Sequence, residues 1–275
     1  MDKNTLESRM KEYEGAYKHL LTRKTYIIIR LDGKNFSKYT KKLNKPFDSD
    51  FSNAMDETAK ALCKEFNAKF AYTQSDEISL VITDIGNINT QPLYGNNLQK
   101  LCSISASVAT AKFNEVRNMQ YIMDLDKEML IGSVDNDFVL DLPKQAHFDA
   151  RVFIVPNEVE VMNHMIWRQK DATRNSISMA AHELLGHKAI DNKSGSEKQD
   201  LMMEKGVNWN DYPSKFKRGV VIRKFEVEIP ITTGEALNTI EPDATVIRNR
   251  LMIDFETPIF TEEIEYLRNL ISTNL

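Results

Sequence analysis

The run Tyr26-Ile27-Ile28-Ile29-Arg30-Leu31 is β-branched and almost wholly apolar, the pattern of a buried strand. Lys34 to Phe47 then turns polar, with lysines at 38, 41, 42 and 45, and breaks at Lys45-Pro46. Asp48 or Ser49 is a good N-cap for a helix reaching about Asn67, with Phe51, Ala54, Met55, Thr58, Leu62 and Phe66 at helical spacing. Phe70 to Tyr72 and Ile78 to Thr83 read as two strands joined by a tight Gln74-Ser75-Asp76 connection. A second helix is predicted over Asn97 to Arg117, with Leu101, Ile104, Val108, Ala111 and Phe113 on its apolar side. Asp124 to His147 has no clear pattern. Arg151 to Val155 is the fourth strand, stopped by Pro156.

The order strand, helix, strand, strand, helix, strand is the ferredoxin-like βαββαβ arrangement, an α+β fold. It sets strands one and three side by side, so Arg30-Leu31-Asp32-Gly33-Lys34-Asn35-Phe36 and Gln74-Ser75-Asp76-Glu77 converge although a helix separates them in sequence. A C-terminal extension of helices and strand follows: a long helix over about Glu158 to Leu185, a polar loop through Gly195, a shorter helix near Glu197 to Lys205, a strand from Gly219 to Val227, and a last helix from an N-cap at Thr261 to about Asn274. The expected division is a catalytic core at 1–156 and an extension at 157–275, packed as one continuous unit.

At 275 residues, 41% hydrophobic and 28% charged, the chain can bury a sizeable core. Its formal net charge of −4 gives no global basic field, so any nucleic-acid surface must be a local patch. Cys63 and Cys102 form no metal-type spacing and suit a reduced cytoplasmic protein. The start, Met1-Asp2-Lys3-Asn4, lacks an apolar signal core, and no apolar run approaches a membrane span.

Carboxylates at adjacent strand ends can hold Mg²⁺ against a polyphosphate, because Mg²⁺ takes hard oxygen ligands and keeps waters and phosphates in its shell. Asp32 and Asp76 are the natural shared ligands, with Gly33 letting a carbonyl turn toward the metal. Glu77 is a third acid, as ligand or base. Two metals about 4 Å apart can activate an attacking hydroxyl and stabilise a leaving oxygen. Alone, either motif also reads as an ordinary turn aspartate.

Lys34, Lys45 and Lys100 are candidates for a triphosphate. Arg168, Asp171 and Asn175 share one stripe of the long helix, which fits a surface ion pair or a nucleotide or RNA contact. Lys215, Lys217, Arg218, Arg223, Lys224, Arg248 and Arg250 could track an RNA backbone. His182 and His187 imitate a zincin helix but fall roughly 140° apart rather than on one face, and no third ligand stands nearby. There is no Walker loop, dinucleotide fingerprint or Gly-x-Ser-x-Gly elbow.

These motifs, with Lys45-Pro46-Phe47-Asp48, Phe148-Asp149-Ala150-Arg151, Trp167-Arg168-Gln169-Lys170-Asp171 and Arg218-Gly219, resemble in content and order the tRNA-histidine guanylyltransferases and their relatives, the 3′-to-5′ polymerases. The resemblance spans residue 30 to about 225. It implies a palm-like catalytic core holding two Mg²⁺ ions through Asp32, Asp76 and the Gly33 carbonyl, with Glu77 as the neighbouring essential acid. It places nucleotide contacts at Lys34, Asn35, Phe36, Lys45, Ser75 and Lys100. RNA binding or activity falls to Arg151, Arg168, Asp171, Asn175, Lys198 and Asn208. ATP, GTP and other nucleoside triphosphates are the implied substrates, tRNA the partner, and a homotetramer built as a dimer of dimers the assembly.

The implied chemistry starts with a tRNA 5′-monophosphate attacking the α-phosphate of ATP, after which an incoming 3′-hydroxyl attacks the adenylylated end and releases AMP. The histidine-specific enzymes carry His-Ile-Asn-Asn after Arg-Gln-x-Asp-Cys. This chain has Ala172-Thr173-Arg174-Asn175-Ser176, keeping the first Asn alone, and Ser37 and Phe47 stand where that group has His and Asn. The pattern is similar to the bacterial-type relatives that repair 5′-truncated tRNAs by templated addition. Non-templated guanylate addition to tRNA-histidine, a diguanylate-cyclase-like palm enzyme and a non-catalytic RNA-binding protein are the alternatives.

Overall fold

The computed structural model describes residues 5–130, 143–230 and 245–272. Its elements are, in chain order, α1 (Leu6–Ala16), β1 (Tyr26–Gly33), α2 (Phe36–Tyr39), α3 (Ser49–Glu65), β2 (Phe70–Gln74), β3 (Glu77–Thr83), α4 (Leu98–Leu130), β4 (Phe148–Val155), α5 (Glu158–Leu185), α6 (His187–Ile190), α7 (Gly195–Glu204), α8 (Ser214–Arg218), β5 (Val220–Pro230), β6 (Thr245–Asp254) and α9 (Ile264–Ser272). The strands form one antiparallel sheet in the order β4-β1-β3-β2-β5-β6. The first four keep the expected ferredoxin-like order, and β5 and β6 widen the same sheet.

Alternation along β1 sends Ile27, Ile29 and Leu31 to one face, where α3 and α4 cover them with Met55, Leu62, Leu101 and Phe113. Tyr26 and Ile28 go to the other face, under Val161, Met162 and Met165 of α5 and Leu267 of α9. That second face changes character along the strands. In register, apolar Ile28, Val81 and Phe153 give way to Arg30, Ser79 and Arg151, then to Asp32, Glu77 and Asp149. One end of the face adheres to helix; the other collects charge.

Local signals fix the helix starts. Asp48 caps α3 by accepting from the Phe51 amide at 2.8 Å, Asn157 caps α5, and Ser194 with Glu197 makes a capping box on α7. Gly219 takes a φ of +74° where α8 turns into β5, and a Cβ there would strike the Thr73 carbonyl of β2.

Several bounds differ from expectation. The second helix runs on to Leu130, β5 reaches Pro230, and α1 and β6 were not anticipated. The last helix begins at Ile264, because 261–263 forms turns in which Glu262 and Glu263 both donate to the Ile259 carbonyl; Thr261 is therefore not its cap. Part of the unpatterned stretch (131–142), the first four residues and the expected helix end past 272 lie outside the described residues.

Candidate active site

Where the second face turns polar, β1 and the β2–β3 hairpin meet. Asp32 is the register partner of Glu77 on one side and of Asp149 on the other. The hairpin connects Gln74 to Glu77 through Ser75 and Asp76 alone, which requires positive φ; Ser75 supplies it at 49°. The Gly33 amide then donates to the Asp76 carbonyl at 3.1 Å, locking the two acidic motifs together. Burial first, and then the charge of Asp32, push the Asp76 carboxyl above its ordinary range, while its own backbone and Ser75 pull it down. Asp32 and Asp76 are the two carboxylates here that could hold a cation between them. Among the described residues no group of three or more His, Cys, Asp or Glu side chains gathers in metal-binding fashion. Mg²⁺ suits such a pair nonetheless, since one or two carboxylates plus substrate phosphates normally complete its shell.

Glu77 is otherwise engaged. Arg168 of α5 donates to both its oxygens, from Nε at 2.5 Å and Nη2 at 2.8 Å, and Arg30 Nε stands 3.7 Å away. Burial pushes the Glu77 carboxyl up; Arg168 and then Arg30 oppose that, and Asp32 adds to it. Arg168 Nη2 also donates to Asp171 at 2.9 Å, and Asp171 accepts from Arg174 and from Asn175 at 3.4 Å. The expected helix stripe is thus one connected network anchored on β3. Trp167 lies under the Arg168 guanidinium at 4.4 Å and near that of Arg30 at 5.8 Å. One turn earlier, His164 contacts Ser79 at 3.4 Å and is held neutral, lowered to about 4 by burial and then by Arg168 and Arg30.

Beside the hairpin opens a cavity of about 820 Å³, counting the space continuous with solvent, between α3, α5, α8 and the 40–48 loop. Lys45, Ser75, Asn175 and Lys215 all line it, so four of the expected nucleotide or RNA residues meet there. Phe47 and Phe216 stack face to face in its wall at 4.9 Å. Lys34 and Asn35 are exposed at the turn after β1, Asn35 with a φ of 57°. The Phe36 ring instead belongs to the core, packed against Tyr39, Phe51, Phe113 and Phe148. It also lies against Gly33, where a Cβ would collide with the ring. Gly33→Ala should therefore lower stability by about 2 kcal/mol through overpacking, read as a fall in melting temperature.

The remaining candidates are dispersed. Lys100 sits in the first turn of α4, which is tied by the Leu98 amide to His19 at the Tyr26 end of the sheet. It is Thr110 that reaches Phe148 near the site, and at 1.5 Å per residue the two lie about 15 Å apart along the helix. Within one chain, Lys100 is not brought to the carboxylates. Arg151 is exposed on β4 beside Asp149, at 3.8 Å. Lys198 donates to Ser178 of α5 at 3.0 Å, and Asn208 caps the turn that carries Trp209. Trp209 in turn bonds Ser176 in the cavity wall at 3.1 Å, so this lobe braces the cavity from behind.

Three residues of the site were not singled out as candidates in the sequence. Arg30 and Asp149 follow from strand alternation once the register is known. Asp56 lay at the edge of the apolar stripe of α3, and a charged residue there was the available signal. It is 4% exposed, lines the cavity and stands 3.5 Å from Lys215. Burial raises its carboxyl to about 6, against the pull of Lys215. A carboxyl that keeps its proton longer when folded weakens the fold as pH rises from about 4 through 6, and the full penalty persists above that. Asp56→Asn should accordingly be more stable than the parent by about 3 kcal/mol at pH 7, and equal to it near pH 3.5, in urea titrations.

The family profile described as tRNAHis guanylyltransferase matches residues 7–156. The fold superposes on a bacterial tRNA(His) guanylyltransferase-like protein in complex with ATP, with a TM-score of 0.79, 39% identity, 98% of this chain and 100% of that one covered. A bacterial protein of the same description in complex with GTP gives 0.75 and 38%, again covering 98% and 100%. The tRNA(His) guanylyltransferase of Schizosaccharomyces pombe is 30% identical over 226 residues, which is 76% of this chain and 78% of the relative.

Proposed function

The chain belongs to the tRNA-histidine guanylyltransferase family of nucleotidyltransferases, and on that premise we propose that it repairs 5′-truncated tRNAs by template-directed 3′-to-5′ nucleotide addition. The observation that carries the reading is the pairing of Asp32 with the Asp76 hairpin, whose Ser75 also lines an aromatic-walled cavity together with Lys45 and Asn175. Templated repair, over dedicated guanylate addition, is supported by Thr173 in the place of the family histidine and by Arg174 drawn onto Asp171 beside it.

In this reading the tRNA 5′-phosphate attacks the α-phosphate of ATP, forming an adenylylated end and releasing pyrophosphate. The 3′-hydroxyl of the next nucleotide then attacks that end and releases AMP. Asp32, Asp76 and the Gly33 carbonyl would hold two Mg²⁺ ions, which supply positive charge to the phosphates and acidify the attacking hydroxyl. Lys45 and Ser75 hold the triphosphate, while Arg168 keeps Glu77 fixed behind Asp32. Residues 1–156 carry this chemistry and 157–275 brace it. Exposed Arg151 and the basic residues of β5 and β6 follow the RNA backbone.

A homotetramer fits α1, which buries none of its own residues and leaves Leu6, Met10, Tyr13 and Tyr17 exposed along one stripe. No helix among the described residues is long and apolar enough to cross a membrane, and we place the enzyme in the cytoplasm with its tRNA substrates. Labelled nucleotides offered to 5′-truncated and full-length tRNAs test the reading. Incorporation should occur on the truncated tRNA and follow the opposite base; addition indifferent to that base would point to the non-templated reaction.

A further inference from the structure

The second sheet face carries two aromatic rings beside Asp32 to which the proposed reaction gives no part. α5 meets β3 there through His164 and Arg168 and leaves the β4 edge open, so Phe153 is 36% exposed and Trp167, on the flank of α5, 53%. Neither ring is loose. His164, buried between them, meets the Phe153 ring edge-on at 5.6 Å and the Trp167 ring at 5.7 Å. On the same ledge Arg30 and Arg151 stand directly opposite each other across β1 and β4. Like charges so placed repel. Glu77 and Asp149 stand 3.7 and 3.8 Å from them, beyond hydrogen-bond reach, and Arg30 Nε has no hydrogen-bond partner. Two opposed guanidiniums short of acceptors, with two fixed rings alongside, match the two halves of a nucleotide unit: a phosphate and an unstacked base.

We infer that this ledge binds an unpaired nucleotide of the RNA template strand, its phosphate between Arg30 and Arg151 and its base stacked on Trp167, with Phe153 beside it. The inference rests on the repair reading, which identifies that strand as the template. Arg30 lies two residues before Asp32 on β1, so the ledge begins about 7 Å along the strand from the Asp32 carboxylate. An RNA 5′ end held at Asp32 therefore has the ledge within the reach of one nucleotide. In a 5′-truncated tRNA the strand left unpaired beside that end is the 3′ strand, against which the missing nucleotides must be matched. Base pairs stacked in a duplex hide the faces that Trp167 offers to cover, so the ledge favours the unpaired strand over the paired one. Stacking is also tolerant of base identity, which suits a site that holds the template and leaves pairing to choose the nucleotide.

Equilibrium binding of two RNA hairpins to the full chain tests this, one an acceptor stem lacking its first 5′ nucleotides and the other the same stem complete. Trp167→Leu should bind the truncated hairpin about tenfold more weakly than the parent and the complete one within about threefold, while Trp167→Phe keeps most of the affinity. Trp167 fluorescence, read as the signal lost in Trp167→Phe, should be quenched by the truncated hairpin and not by ATP alone. Arg151→Gln, an exposed position that carries the test if Trp167→Leu melts low, should weaken the truncated hairpin and flatten its salt dependence. Equal losses on both hairpins, a phenylalanine no better than leucine, or no binding of either hairpin by the parent would overturn the inference. Quenching by ATP alone would overturn it too, by giving the ledge to the free nucleotide. If the losses are as expected but addition by the parent ignores the opposite base, the repair reading fails and the ledge stands as a site for unpaired RNA.

Discussion

Replacing Asp76 with alanine should cost roughly a thousandfold in nucleotide transfer while leaving the fold intact. A metal site contributes several kcal/mol to phosphoryl-type displacements, and about 4 kcal/mol corresponds to that factor. The same change removes a buried carboxyl whose charge is opposed by burial and by Asp32, so the metal-free variant should melt no lower than the parent. Opposite signs on activity and stability separate a chemical role from a structural one. Single-turnover assays with labelled nucleotide, alongside melting curves, give both readouts. Retained activity would remove Asp76 from the chemistry; retained activity with weakened RNA binding would instead favour the non-catalytic alternative.

The largest stability loss is expected from Arg168→Met. Arg168 and Glu77 are 5% and 7% exposed, and the guanidinium satisfies both carboxylate oxygens. Removing it strands a buried charge, which typically costs about 3–5 kcal/mol; Arg30 at 3.7 Å holds the loss near the lower figure. Combining Arg168→Met with Glu77→Gln should recover most of that loss in urea unfolding, because the stranded charge is gone. If the double variant is as unstable as the single one, the pair is not what holds α5 to β3.

The four-strand core was legible because β1, β2 and β3 alternate or run apolar between clear stops, and α3 and α5 carry good caps. β6 was not: Arg248, Asn249 and Arg250 interrupt its β-branched residues, and it pairs with β5 across a long interval of sequence. The α1 helix escaped notice because it packs no residue of its own into the core, so nothing in the surrounding pattern called for it. At the site, Asp32 and Asp76 stood out through local motifs. The clamp on Glu77 did not, since Arg168 lies 91 residues away and two readings of its helix stripe fitted the sequence equally. Lys100 shows the converse: a lysine matched by motif position falls at the far end of the sheet, because α4 starts where β3 ends.

The change along β1 from Tyr26 and Ile28 to Arg30 and Asp32, opposite Ile27, Ile29 and Leu31, gives the strand a built-in proofreading of its own pairing. A slip of one residue would drive Arg30 and Asp32 into the aliphatic layer beneath α3 and α4 and expose three large apolar side chains in their place. The charges at this end of the strand thus also penalise misregistered chains during folding. Neutral variants at Asp32 or Arg30 should therefore be more prone to trapped, mispaired species on refolding, even where their native stability is unharmed.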